Sequence, residues 1–242
     1  MPATTAKSLT TLQAFRKGVF DGAPFVLVVG PFAVLFGVLA TEAGLLLIET
    51  MAFSLVVIAG AAQFTALQLM TENAPTAIVL ASALAVNLRM AMYSAALTPW
   101  LGAAPLWQRA CAAYLILDQS YACAMLEFER HPEMNIRARV AYFVGTAALV
   151  APAWYLCTLL GAVAGTAIPE SWALDFALPI TFLALVAPML RTLPHVIAAV
   201  VAIVVSLLLA GLPYSLGVLV AGLLAMLCGA QAEKMLLRES VL

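Results

Sequence analysis

Residues 76–98 form an almost wholly apolar run that is long enough to cross a bilayer as one helix. The run carries Asn87 and Arg89 in its interior, and a charge near the middle of a membrane costs at least about 3 kcal/mol unless it faces protein or water. Residues two apart on a helix point to nearly opposite sides, so Arg89 shares a stripe with Tyr93 while Asn87 lies on another. A helix that is polar on two sides is predicted to be enclosed near the middle of the protein.

The composition identifies a polytopic membrane protein. Hydrophobic residues make up 65% of the 242 residues and charged residues only 10%. The few basic residues form no clustered face for nucleic acid. The four cysteines have no Cys-x-x-Cys or His/Cys spacing, so neither a metal site nor a cofactor is predicted.

Hydropathy and turn signals predict an all-α fold of about eight transmembrane helices. They are expected near 19–40, 48–70, 76–98, 110–128, 140–164, 177–190, 194–210 and 215–232. These lie in a single transport domain over 18–232, between an N-terminal cytoplasmic arm (1–17) and a charged tail (233–242). The piece 177–190 is short for a span; if it is re-entrant, the chain crosses seven times and the tail lies outside.

The distribution of basic residues predicts the orientation. With eight crossings, nine of the 11 lysines and arginines fall on the side of the N-terminus, and only Arg109 falls in an outside loop. Because cytoplasmic loops carry the excess of basic residues, both termini are predicted to be cytoplasmic.

Two stretches resemble each other and predict an inverted repeat. Asp-Gly-Ala-Pro at 21–24, followed by Pro31, is echoed by Asp-Phe-Ala-Leu-Pro at 175–179, followed by Pro188. Inverted repeats with proline-broken helices build the midplane site of many transporters, so breaks are expected at Pro31, Pro179 and Pro188. Chance recurrence of an Asp–Pro pattern is the alternative.

Arg89 and Asp118 are expected at similar membrane depth. Arg89 lies about ten residues before the end of its predicted span, and Asp118 about nine residues after the start of the next, which gives roughly 14 Å from the same face at 1.5 Å per residue. One reading is a structural ion pair, in which each charge offsets the desolvation of the other. The other is that substrate or a proton enters between them.

Two further residues, Gln63 and Asp21, have two readings each. Gln63 either bonds across to a neighbouring helix, or Gly60 loosens the helix there and frees carbonyl groups for an ammonium. Asp21 either complements the dipole at the start of its span or takes part in proton coupling.

At these positions the chain resembles the AzlC family. The motifs are DGAPFVLVVGPFAVLFGVLA at 21–40, GAAQFTALQLM at 60–70, NLRMAMYSAALTP at 87–99, the Asp-x-x-Tyr element at 118–121, and LDFALPITFLALVAP at 174–188. They occur in order over about residues 18–230. The resemblance implies the large subunit of a branched-chain amino-acid exporter of the inner membrane, which works with a small AzlD-type membrane protein.

The chain departs from the family pattern at two positions. An acidic residue often follows the aspartate and a histidine often follows Asn-Leu-Arg, whereas this chain has Gln119 and Met90. Any proton relay at this site therefore rests on Asp118 alone.

The residues themselves suit an aliphatic amino acid. Arg89 offers a bidentate fork to a carboxylate, and Asn87 adds an amide if the helix is locally distorted. Asp118, or carbonyl groups near Gln63, can hold the ammonium group. One methylene is worth only about 1–3 kcal/mol in an apolar pocket, so leucine, isoleucine, valine and methionine are expected to be poorly separated.

Two other classes remain as alternatives. One is a transporter or channel for another small polar solute, and the other is a receptor or structural subunit that moves nothing. An intramembrane hydrolase is not favoured, because the two histidines lie in a loop and at a span boundary, away from a nucleophile. No ATP-binding phosphate loop is present either, so transport would be of the secondary type.

Overall fold

The computed structural model describes residues 9–165, 190, 192–212 and 216–239, and the regular structure of these residues is helical. The chain is therefore an all-α membrane protein, as predicted. Three described helical stretches are long and apolar enough to cross a membrane, namely Thr11–Glu42, Thr76–Leu101 and Ile136–Gly165. The predicted span 177–190, with Pro179 and Pro188, lies outside the described residues, so the second half of the predicted inverted repeat stays untested.

The helices follow one another through short connections. In chain order they are α1 (Thr11–Gly22), a 3-10 turn (Ala23–Phe25), α2 (Val26–Glu42), α3 (Leu47–Val56), α4 (Gly60–Thr71), α5 (Thr76–Leu101), α6 (Leu106–Tyr114), α7 (Asp118–Arg130), α8 (Ile136–Ala147), α9 (Val150–Gly165), α10 (Leu193–Leu208) and α11 (Leu216–Glu239).

Contacts divide the chain into two compact units, where the sequence predicted a single domain over 18–232. The first comprises Met1–Phe64 and Leu84–Ile168, and the second comprises Thr65–Ala83 and Pro169–Leu242. In the second unit α10 and α11 pack antiparallel, because Gly229 lies against Ala198 and Gly217 lies against Leu209.

The first unit is built on two long helical stretches that run side by side in the same direction. Gly18 on α1 lies against Tyr142 on α8, and Gly37 on α2 lies against Thr158 on α9. Residue numbers therefore rise together along both stretches, which makes the packing parallel. A Cβ on any of several glycines would overlap the backbone of the opposite stretch; they are Gly18, Gly22, Gly37, Gly145 and Gly161. Small residues at such positions let membrane helices approach backbone to backbone.

Between α2 and α5 the chain forms a helical hairpin. Gly44, at φ 85°, reverses the chain after α2, and Leu45 N–H donates to Ala40 C=O at 3.0 Å. α3 then returns alongside α2 and α9, because Phe53 contacts Phe36 at 5.8 Å between ring centroids. After the break at 57–59, Gly60 lies against Phe32, and the Phe64 ring lies 4.6 Å from Phe32 and 5.6 Å from Phe36. The first residues of α4 thus run back along α2, towards the C-terminal end of α2, where α3 begins.

A second hairpin, α6–α7, enters from the other end. α6 lies along the C-terminal part of α5, where the two helices line a common cleft. α7 runs parallel to α5: Tyr121 stacks on Tyr93 with centroids 4.1 Å apart, and Phe128 contacts Trp100 at 5.8 Å. α7 is antiparallel to α1, since Lys17 pairs with Glu127 while Asp21 lies beside Cys123. Both α6 and α7 therefore lie on the side of the membrane where α1 begins.

These hairpins correct two predicted spans. Residues 48–70 and 110–128 are not continuous helices, because each stretch is interrupted halfway and its second half turns back. The predicted break at Pro31 is also wrong, since Pro31 lies inside the continuous helix α2. The change in helix geometry occurs seven residues earlier, in the 3-10 turn that contains Pro24.

The predicted enclosure of 76–98 is not observed among the residues that the structure describes. In the apolar window of α5 only 11% of the residues are buried. The exposed face includes Leu84 at 67%, Leu88 at 57% and Met92 at 70%. Most of α5, including the apolar side chains that flank Arg89, is therefore not covered by the residues that the structure describes.

Candidate functional site

Arg89 and Asp118 form the ion pair at the centre of the site. Arg89 Nη1 lies 2.9 Å from Asp118 Oδ2, and Tyr93 O–H donates to Asp118 Oδ1 at 3.0 Å. Arg89 and Tyr93 are one helical turn apart on α5, so the predicted stripe is confirmed. The carboxylate belongs to the first residue of α7, where the helix dipole presents its positive end to an anion.

The pair leaves hydrogen-bonding capacity unused. Arg89 contributes one Nη1 contact, and its buried Nε has no hydrogen-bond partner among the described residues. The two side chains are only partly covered, with 29% of Arg89 and 46% of Asp118 exposed. A guanidinium group with a free N–H edge is a receptor for a second carboxylate.

Asn87 lies elsewhere on α5. Asn87 is half-buried, and its Oδ1 is a buried atom without a hydrogen-bond partner in the described part of the chain. The described contacts do not bring Asn87 to the Arg89–Asp118 pair, which agrees with its position on a different stripe of the helix.

Gln63 occupies the first turn of α4 at the tip of the other hairpin. Its side chain is fully buried, and Nε2 donates to Ser54 Oγ at 3.3 Å. Ser54 Oγ also accepts from Trp154 Nε1 at 2.9 Å and lies 3.2 Å from Thr158 Oγ1. Gln63 Oε1 has no hydrogen-bond partner among the described residues. Gln63 thus bonds to a neighbouring helix, as the first reading predicts. The helix is interrupted just before Gly60, and the binding of an ammonium group there stays a prediction.

The tips of the two hairpins meet. Tyr114 O–H, at the end of α6, donates to Leu55 C=O at 2.7 Å and lies 2.6 Å from Tyr155 Oη. The break at 57–59 frees this carbonyl group from its helix. Leu117 and Ile58, one from each tip, pack in the cluster that surrounds Trp154. Ile58 and Leu117 directly precede the two returning helices, whose first residues are Gly60 and Asp118, so the two helices start from tips that are in contact.

A cleft of about 160 Å³ lies nearer the end of α5. It is lined by Ser94, Leu97, Thr98, Leu101, Gly102, Arg109, Ala112, Ala113 and Ile116. The cleft contains none of the predicted site residues. We therefore place the site by the side-chain contacts of Asp118 and Gln63.

Asp21 is not at the start of a helix, so the predicted role of complementing the helix dipole is wrong. It is the penultimate residue of α1, in a helical stretch that begins at Thr11 and not near 19. Its Oδ2 accepts from Tyr142 O–H at 2.6 Å and lies 3.3 Å from Lys17 Nζ. Lys17 Nζ also pairs with Glu127, whose side chain is only 3% exposed.

Sequence reasoning missed most of these partners. Glu127 lies inside a predicted span, and an acidic residue there is a signal in itself. Tyr142, Tyr114, Ser54 and Trp154 gave no such signal, because single hydroxyl and indole groups in apolar helices are common. In the part of the chain that the structure describes, no group of three or more His, Cys, Asp or Glu residues is placed to hold a metal ion.

Comparison with known proteins assigns the chain to a family of membrane proteins. Residues 24–168 match the family model described as AzlC protein. The chain is 25% identical over 194 residues to the inner membrane protein YgaZ of Escherichia coli K12, covering 76% of each chain. It is 32% identical over 197 residues to an uncharacterized membrane protein of Archaeoglobus fulgidus, covering 80% of this chain and 83% of the relative. No solved structure matches.

Proposed function

Because the chain belongs to the AzlC family, we propose that it is the large subunit of a secondary transporter that exports branched-chain and similar aliphatic amino acids. The observation that carries this proposal is the Arg89–Asp118 pair at the tip of a helical hairpin. An arginine and an aspartate side by side offer complementary partners to the carboxylate and the ammonium of a zwitterion. The family membership supports a membrane transporter, and the pair supports its substrate class.

We place the substrate carboxylate on the free N–H edge of Arg89. The ammonium group of the substrate pairs with Asp118 and donates to the unpartnered amide oxygen Oε1 of Gln63. We place the aliphatic side chain among the aromatic rings next to Gly60, namely Phe32, Phe36, Phe64 and Trp154, which pack against one another and must separate to admit it. An apolar site of this kind would accept leucine, isoleucine, valine and methionine with little discrimination.

A small AzlD-type membrane subunit is expected to cover α5. The exposed face of α5 is apolar, and the buried Oδ1 of Asn87 needs a donor that the described residues do not supply. A second chain on this face would complete the enclosure that the sequence predicts. Export is therefore expected only when both chains are present.

The hairpins support the proposed orientation. In it the protein lies in the inner membrane and its N-terminus is cytoplasmic. Arg109 was the exception to the basic bias. α6, which carries Arg109, lies at the end of the first unit where α1 begins, together with Arg130 and Arg137. All of these arginines then lie on the cytoplasmic side.

Counterflow of labelled leucine in proteoliposomes tests the proposal. Vesicles preloaded with unlabelled leucine and containing both subunits should accumulate label, and a pH gradient should change the rate of net flux. Unlabelled valine or methionine should compete, whereas lysine should not. A chain pair that binds leucine without moving it would instead be a receptor, and a pair that neither binds nor moves leucine would disprove the proposed substrate.

A further inference from the structure

A chain of titratable side chains runs from the end of the first unit into its interior, where α1, α7 and α8 meet. His131, just after α7, lies 3.2 Å from Glu133 through Nδ1 and 3.9 Å from Glu127 Oε1 through Nε2. Glu127 pairs with Lys17, which lies 3.3 Å from Asp21, and Asp21 accepts from Tyr142. His131 is 44% exposed and Glu127 is 3% exposed, so this first step leads inwards, whereas Lys17 and Asp21 beyond it are each 39% exposed.

The charges in this cluster do not balance. One ammonium group, Lys17, serves two carboxylates, Asp21 and Glu127, which leaves one negative charge in excess. Glu127 Oε1 is buried and has no hydrogen-bond partner in the described part of the chain. A buried carboxylate oxygen without a donor is costly, and binding one proton would remove the excess negative charge that makes it so.

From this geometry we infer that Glu127 is a proton-binding site that loads from the cytoplasmic face through His131. The inference rests on the proposed function and its orientation. His131, protonated at Nε2 by a hydronium ion from the solvent, gives this proton to Glu127 Oε1. The Nε2–H bond breaks as the Oε1–H bond forms, and the excess negative charge of the cluster is neutralised. The imidazole returns to its neutral form and binds the next proton from a solvent hydronium ion.

The other groups that face Glu127 fit this assignment. They are Lys17 and Asp21 from α1, Cys123 from its own helix, His131 from the following loop, and Tyr142 from α8. In the loop, a backbone hydrogen bond of Glu133 and then the neighbouring His131 hold the pKa of the Glu133 carboxyl below its usual range. Glu133 therefore stays an acceptor near neutral pH and orients the imidazole towards Glu127.

The proton site and the proposed substrate site share one rigid element. Asp118 is the first residue of α7 and Glu127 is nine residues later, about 13 Å away at the helical rise. Loss of the excess charge weakens the hold of Lys17 on α7 and frees the helix to shift relative to α1. Coupling between two binding sites is reciprocal, so leucine binding must change proton binding by the same factor, usually about 5- to 150-fold.

The test measures protons directly. Leucine is added to the purified two-subunit complex in weakly buffered detergent solution, and a pH-sensitive dye reports uptake or release. We expect a proton change with the wild-type complex and none with Glu127→Gln. The control Glu129→Gln, two residues further along α7 and exposed, should behave as wild type.

The outcomes separate the two proposals. If leucine does not bind to the wild-type complex, the proposed function fails. If leucine binds but no proton moves, or if Glu127→Gln gives the wild-type proton change, the inference about Glu127 is wrong. Should Glu127→Gln not fold, the double variant Lys17→Gln with Glu127→Gln removes both partners of the ion pair and is read in the same way.

Discussion

Arg89 Nη1 and Asp118 Oδ2 lie 2.9 Å apart, although Asp118 begins a short helix that runs parallel to α5 and not the antiparallel span that the sequence predicts. The similar depth of the two residues was predicted correctly, but from an antiparallel pair of spans. In the structure the depth of Asp118 is set by the tip of the α6–α7 hairpin. An ionisable residue at such a tip can face substrate without a continuous span behind it.

Replacing Arg89 by lysine tests the substrate contact. Lysine keeps the positive charge but loses the planar fork, so the complex should stay folded and bind leucine at least about tenfold more weakly, which is about 1.4 kcal/mol. Scintillation proximity binding measures this, with exposed Arg109→Lys as the control. Unchanged leucine affinity in Arg89→Lys would indicate a purely structural ion pair.

Neutralising both partners separates structure from function. A purely structural pair predicts that Arg89→Gln and Asp118→Asn each lose expression and that the double variant regains folding and transport. We expect the double variant to fold and stay inactive, because substrate then has no charged partners. We also expect Asp118→Asn to keep some leucine binding, with a pH dependence that still comes from Glu127. Expression, leucine binding and counterflow are measured on all three proteins.

Gln63 is expected to contribute to binding through its unpartnered Oε1. Gln63→Leu removes both the acceptor and the bond to Ser54, so leucine affinity should fall by about five- to thirtyfold, the range of one or two hydrogen bonds. Gln68→Leu, an exposed position on the same helix, should leave affinity unchanged. Ser54→Ala separates the two effects: it breaks the bond to Gln63 Nε2 but keeps Oε1, so a loss as large as that of Gln63→Leu would assign the effect to packing.

The parallel packing of α1–α2 against α8–α9 depends on glycine. A Cβ on Gly37 would overlap the backbone of Thr158 and Ala162, so Gly37→Ala should lower stability by about 1–3 kcal/mol. Gly222 in α11 has open space around its Cα, and alanine there should be neutral or stabilising by up to about 1 kcal/mol. Thermal unfolding in detergent compares the two. Equal stability of both variants would contradict the close packing.

Cysteine labelling distinguishes the hairpins from full spans. In a background without the four native cysteines, Leu46→Cys and Ala103→Cys should react with a membrane-impermeant maleimide from opposite sides. The eight-crossing prediction places both loops on the same outer side. Labelling of both positions from one side would restore a span at 48–70, and a reporter after Leu242 would locate the C-terminus.

Local properties of the sequence determined the fold class of this protein and some features of its candidate site. Composition and run length are properties of the chain alone, and they were enough to identify an all-α membrane protein and the apolar stretch that holds Arg89. The family motifs, such as Gly-Ala-Ala-Gln-Phe at 60–64, were equally readable because residue order carries them. The shared stripe of Arg89 and Tyr93 followed from helical periodicity alone.

Only the tertiary structure decided which apolar stretches form one continuous helix and which form a hairpin of two short helices. A full span and a hairpin of two half-helices have the same length and the same hydropathy, because both bury apolar side chains and satisfy their backbone groups. The direction of α4 and α7 depends on contacts with distant residues, such as Phe64 with Phe36 and Tyr121 with Tyr93. For the same reason the neighbours of Glu127, namely Lys17 and Tyr142, were invisible in the sequence. They come from helices more than a hundred residues apart, and packing alone brings them together.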